Sequence, residues 1–248
     1  MDISSGNRSG IRSTPLDDLD LRQYFLIFLA CTVLPIVISA AASIIASVVS
    51  EGSFEQNPAL LQSNTLFSLY TQLIGALIAI AVCCFILRGR IKELLSSIKN
   101  HRAILIGALL GAAVFGISAL SEVVFQLRDN ENQEVLMKEM MTSPALFFIS
   151  AVILTPIIEE LAFRVAVFTP LKKINKPVSY LIITIIFAFI HIDLGSGDLT
   201  NELLSLPSYL IAAFGLAFAY DRFGFWSSVA MHFTNNLLAA SVSMITLL

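Results

Sequence analysis

The chain has 248 residues, 56% of them hydrophobic and 13% charged, with a mean hydropathy of +0.83. That composition excludes a soluble globular domain and calls for a polytopic membrane protein. A formal charge of -3 gives no reason to expect a nucleic-acid partner. The three cysteines, Cys31, Cys83 and Cys84, fall in apolar runs without metal-ligand spacing and read as packing residues.

In chain order, residues 1–23 are rich in Ser, Gly and Asp and read as a polar, solvated tail. Residues 24–144 hold three expected spans. The first, Tyr24 to Val49, is long enough to cross a bilayer with some tilt. Within it, Ser39-Ala-Ala-Ala-Ser43 resembles a signal-peptidase site. The long polar lead and the apolar continuation to Val49 argue instead for a retained span. An acidic loop without Lys or Arg leads to the second span, Leu66 to Leu87.

The most basic segment follows, with Arg88, Arg90, Lys92, Lys99 and Arg102 flanking Ile91, Leu94, Leu95 and Ile98 at helical spacing. It reads as a short amphipathic helix on the membrane surface. The third span, Ala103 to Phe125, carries Gly107 and Gly111 at the GxxxG spacing that lets helices approach closely. Glu122 near its end is expected to reach the interface. Residues 126–143 are polar and acidic, with Met137, Met140 and Met141, and read as a loop or surface helix.

Residues 145–248 hold four more spans: Ala145 to Phe168, Val178 to Ile192, Leu203 to Tyr220, and Trp226 to Leu247. The expected fold is an all-α transmembrane bundle of about seven spans, with six or eight as alternatives. Placing the amino terminus in the cytosol puts Arg8, Arg12, Arg22, the basic segment, Lys172, Lys173, Lys176 and Arg222 inside. Only Arg128 and Lys138 then lie outside, as the positive-inside rule requires. At 1.5 Å per residue, Glu159 lies about 21 Å from the outer end of its helix and His232 at a similar depth. Counted from Val178, His191 comes out nearer the outer half, so the fifth span must start below the membrane surface or tilt steeply.

The fourth span contains Thr155-Pro-Ile-Ile-Glu-Glu-Leu-Ala-Phe-Arg164, three ionisable groups in an apolar run. A charge at that depth costs at least about 2.5–3.5 kcal/mol on insertion scales, so its retention is a hypothesis about function. On a helix Glu160 and Arg164 share a face and can pair, whereas Glu159 points about 100° away toward another neighbour. That leaves one carboxylate neutralised and one free to hold and release a proton. Only three histidines occur, and His101 lies in the basic segment. His191 and His232 form the intramembrane pair, each with a companion one turn away, Phe187 and Asn236.

Glu159-Glu160-x-x-x-Arg164, Phe187-x-x-x-His191 and His232-x-x-x-Asn236 together resemble, in order, spacing and membrane setting, the CAAX protease and bacteriocin-processing (Abi) family. That family includes the type II CAAX prenyl endopeptidases. The resemblance covers about Ala145 to Leu247 and implies a glutamate-dependent intramembrane endopeptidase acting on a membrane-associated peptide or protein. It implies that Glu159, assisted by His191, activates water, and that His232 and Asn236 donate to the oxyanion of the tetrahedral intermediate. Glu160 with Arg164, and Phe187, would support those groups from behind.

No cofactor is expected. Zinc on Glu159, His191 and His232 is the alternative, because family members are often described as metalloproteases. Against it, the chain has no HExxH pair. A compact chain without an appended soluble domain fits a bacterial plasma-membrane protein. Two other classes use the same residues: a non-catalytic membrane partner such as a bacteriocin-immunity factor, in which the polar groups glue helices together, and a transporter, which the absence of an internal repeat disfavours.

Overall fold

The computed structural model describes the backbone of residues 16–49 and 58–246 and the side chains of residues 16–45 and 64–246. The tail before residue 16, the acidic loop at 50–57 and Leu247 lie outside the described residues. Nine helices and no strand occur among the described residues: α1 (Leu21–Val49), α2 (Pro58–Ile86), α3 (Ile91–Ser96), α4 (His101–Phe125), α5 (Glu131–Thr142), α6 (Pro144–Ile174), α7 (Lys176–Phe189), α8 (Leu199–Phe223) and α9 (Phe225–Thr246).

All seven expected spans are helical. Five of them, α1, α2, α4, α6 and α8, are long and apolar enough to cross a membrane, as an integral membrane protein requires. α7 is apolar but only 14 residues long. α9 has the length, 22 residues, but carries His232, Asn235 and Asn236 in its first half.

Helix starts follow local chemistry. Asn100, Asn130, Asn175 and Asp198 each accept a backbone N–H three residues on, capping α4, α5, α7 and α8. α8 and α9 are separated by Gly224 alone, at φ 91° and ψ 179°, a conformation essentially open only to glycine. α4 packs along α9, where a Cβ at Gly107 or Gly111 would overlap the carbonyl oxygens of Ser227 or Met231. The expected GxxxG contact is thus made with the helix that carries His232.

Two interface expectations are adjusted. Residues 16–23, expected in the solvated tail, are partly packed: Leu16 and Leu19 are buried, and the Tyr24 hydroxyl bonds Leu16 O at 2.9 Å. The basic segment forms only the six-residue α3, with Leu94 buried and Leu95 and Ile98 exposed. The Trp226 indole ties it to α9 by donating to Leu94 O at 2.8 Å.

α6 is irregular, with π-helical stretches at Phe148–Leu154 and Glu160–Phe168. Each ends at a Thr-Pro pair. Thr155 N–H reaches Ser150 O and Thr169 N–H reaches Arg164 O, both five residues back. The next residues, Pro156 and Pro170, have no N–H with which to continue the register.

α6 also runs past Phe168 to Ile174, and this removes the depth mismatch of His191. Glu159 and His191 each lie sixteen residues from Asn175, the turn between α6 and α7. Counted from that shared turn they stand at matching heights. Phe163 and Phe187, each twelve residues from Asn175, confirm the pairing with ring centroids 5.3 Å apart.

The two ends of the bundle are fastened differently. At the α6–α7 turn, Lys172 pairs with Asp17 (3.6 Å) and Asp221 (3.4 Å), and Lys176 with Asp221 (2.6 Å). At the other end, Asn201 accepts Arg128 N–H at 3.0 Å, and buried Glu202 accepts Glu131 N–H at 2.8 Å and Asp193 N–H at 3.1 Å. α5 docks there through Gln72, whose Nε2 donates to Glu139 at 2.6 Å. Burial pushes the Glu139 carboxyl up, against the opposing effect of that bond.

Candidate active site

Glu160 and Arg164 form the expected i, i+4 pair, with Arg164 Nε 3.3 Å from Glu160 Oε2 and both side chains fully buried. Two further contacts hold the guanidinium. Nη2 donates to Ala213 O at 3.4 Å, and the cation lies 4.3 Å from the Phe187 ring centroid. The third oxygen-to-nitrogen contact in the cluster comes from α9, where His232 Nδ1 is 3.1 Å from Glu160 Oε1. Ser228, one turn earlier on α9, donates its hydroxyl to Phe225 O at 2.9 Å.

Glu159 differs. Its side chain is 22% exposed, and its Oε2 has no hydrogen-bond partner among the described residues. It is not isolated, however, because His232 Nε2 lies 3.7 Å from that oxygen. The imidazole of His232 therefore stands between the two adjacent carboxylates. With Glu160 paired to Arg164 and accepting only, Nδ1 is the donor to Glu160, and Nε2 is the nitrogen left facing Glu159.

Phe187 is the hub of the cluster. Its ring touches Phe163, the Arg164 cation, His191 (centroids 4.7 Å apart) and His232 (5.9 Å). His191 Nδ1 lies 2.7 Å from Phe187 O, and since a carbonyl only accepts, Nδ1 carries the proton and Nε2 a lone pair. The structure thus brings Glu159, Glu160, Arg164, Phe187 and His232 into one contact cluster, with His191 joined to it through Phe187.

Asn236 sits on the flank and is hydrogen-bonded to neither carboxylate among the described residues. Its Nδ2 donates to Ala151 O at 3.1 Å. That carbonyl is the next in the π register after Ser150, so its backbone donor would be Pro156, which has none. Asn236 supplies the missing hydrogen bond, a role that spacing on α9 could not reveal. Asn235 donates to Asn236 Oδ1 at 3.4 Å. Sequence reasoning also missed Tyr209, whose ring stacks on His191 at 5.2 Å and 24°. No motif marks it, because the contact joins α8 to the residue that follows α7.

As to metal, no group of three or more His, Cys, Asp and Glu side chains among the described residues is placed to hold an ion. His191 and His232 each hold Nδ1 against an acceptor, Phe187 O and Glu160, and His232 Nε2 lies 3.7 Å from Glu159 Oε2.

Residues 141–238 match the family model described as type II CAAX prenyl endopeptidase Rce1-like. No curated protein and no solved structure matches the chain. The matched segment contains every residue of the cluster, from Glu159 to Asn236, and supports a relation to the CAAX protease and bacteriocin-processing family.

Proposed function

We propose that the protein is an intramembrane endopeptidase that hydrolyses a peptide bond of a membrane-associated peptide or protein, using water activated by Glu159 with help from His191. The observation that carries this reading is the contrast between neighbours: Glu160 is fully buried and ion-paired with Arg164, while Glu159 is 22% exposed and has no Lys or Arg in ion-pair reach among the described residues. Amide hydrolysis needs a base to take a proton from water and donors to hold the charge that develops on the carbonyl oxygen.

Glu159 takes the proton, and the lone pair on His191 Nε2 orients the water. The proton then passes to the leaving amine. His232, held by Glu160 at Nδ1, presents Nε2 to the reacting centre, and Asn236 keeps its second amide N–H for the oxyanion. No metal enters this scheme. The reaction takes place within the bilayer, with the amino terminus and the α6–α7 turn on the cytosolic side of a bacterial plasma membrane.

The reading is tested with purified protein in lipid vesicles and two internally quenched peptides. One ends in a prenylated Cys-aliphatic-aliphatic-X sequence, and the other is an unprenylated single-span peptide. Wild type is expected to cleave at least one of them after treatment with a strong chelator. Glu159→Gln should lower turnover by about 10²–10⁴ with unchanged thermal stability. Full activity of that variant overturns the role of Glu159. Loss on chelation with recovery on adding zinc would instead make Glu159, His191 and His232 ligands. Orientation is tested by single cysteines in a Cys-free background: one at Ser196 should react with an impermeant thiol reagent outside intact cells, and one at Ser97 should not. The reverse pattern inverts the topology.

A further inference from the structure

We infer that Tyr209 is a positioning residue for His191, fixing its ring plane and thereby the direction of Nε2; its service to catalysis rests on the role of His191 proposed above. His191 lies two residues beyond the end of α7, where its backbone N–H makes only a 3.2 Å turn bond to Ala188 O. The helix alone therefore does not set the imidazole's orientation. Three contacts do. Phe187 O takes Nδ1–H at 2.7 Å, the Phe187 ring lies 4.7 Å away at 39°, and the Tyr209 ring is the closest to parallel, at 5.2 Å and 24°. The hydrogen bond pins one edge of the imidazole but still allows rotation about its axis. A stacked ring removes that freedom.

Tyr209 is itself held. Its hydroxyl accepts from Asn130 Nδ2 at 3.1 Å and from Asn132 Nδ2 at 3.4 Å, and buried Asn130 caps α5. Two turns earlier on the same face of α8, Glu202 accepts the N–H of Asp193, two residues after His191. One face of α8 thus holds both the ring of His191 and the backbone just after it. Glu202 and Tyr209 are both bonded to the amino-terminal end of α5, residues 130–132.

Because the chain has three histidines, ¹⁵N-histidine labelling of the full protein in detergent micelles gives three imidazole signal sets. His101→Gln and His191→Gln assign them. Wild type should show His191 as the Nδ1–H tautomer. Tyr209→Phe, which keeps the ring, should preserve that signature, whereas Tyr209→Leu should move His191 toward a tautomer mixture and leave His101 and His232 in place. Tyr209→Met serves as the second variant if the leucine form does not fold.

Wild-type His191 signals in the leucine or methionine variant overturn the inference. So do equal shifts of His191 and His232, which would mean general loosening. In vesicles, Tyr209→Leu should lower kcat by roughly tenfold to a hundredfold at unchanged KM, with no further loss in a His191→Gln background. A loss that persists in that background overturns it. The magnetic-resonance readout needs no cleavage, so it stands or falls separately from the peptidase reading.

Discussion

On one side of α6, Glu160 is enclosed by Arg164 and His232, its side chain is fully buried, and the neighbouring cation rests on an aromatic face. On the other side, one residue earlier, Glu159 is 22% exposed and meets His232 at 3.7 Å. The residue type is identical and the surroundings are not. One carboxylate holds three helices together, and under the proposed function the other is the one left for proton transfer, a division set by environment alone. His232 joins the two sides. It is oriented by the structural glutamate and presented to the open one.

The sharpest way to break this comparison is to remove the enclosed charge. Glu160→Gln leaves Arg164 fully buried without its counter-charge, a change that typically costs about 3–5 kcal/mol. Denaturation in detergent should register that loss. Glu160→Gln combined with Arg164→Met should recover part of it. A Glu160 variant that is fully stable but inactive would mean that the two glutamates share the chemistry.

A smaller effect sharpens the same contrast at Asn236. Asn236→Ala should cost about 1–3 kcal/mol, since it leaves Ala151 O, already denied a backbone donor by Pro156, without its side-chain partner. Loss of turnover with no loss of stability would move Asn236 wholly to the reactive side of the cluster.

The Glu160–Arg164 pair, the Phe187–His191 turn and the helical spans were legible in the sequence because each depends on spacing along one helix. The position of His232 between both carboxylates was not. It depends on how closely α9 approaches α6, which Gly107 and Gly111 set from a third helix. The π stretches were hidden for a related reason. Thr155-Pro156 and Thr169-Pro170 are visible, but proline is compatible with a kink or a helix end as well as with a π register. The end of α6 was misplaced because hydropathy falls at Lys172 and Lys173, whereas the helix continues until Asn175 caps the next one. Leu16 and Leu19 were lost in a polar average although they are the residues that pack.

The turn at Asn175 has a consequence for life in bilayers of different thickness. A bundle meets a thicker or thinner hydrocarbon layer mainly by tilting. Glu159 and His191 are both sixteen residues from that turn and belong to one packed hairpin, so tilt carries them as a unit and keeps the distance between them. Chain length is another matter. Deleting one residue from a single arm would displace Glu159 or His191 by about 1.5 Å and rotate it by about 100°, while a matched deletion in each arm would largely keep the height. The hairpin thus tolerates a changing membrane far better than it tolerates a changed residue count.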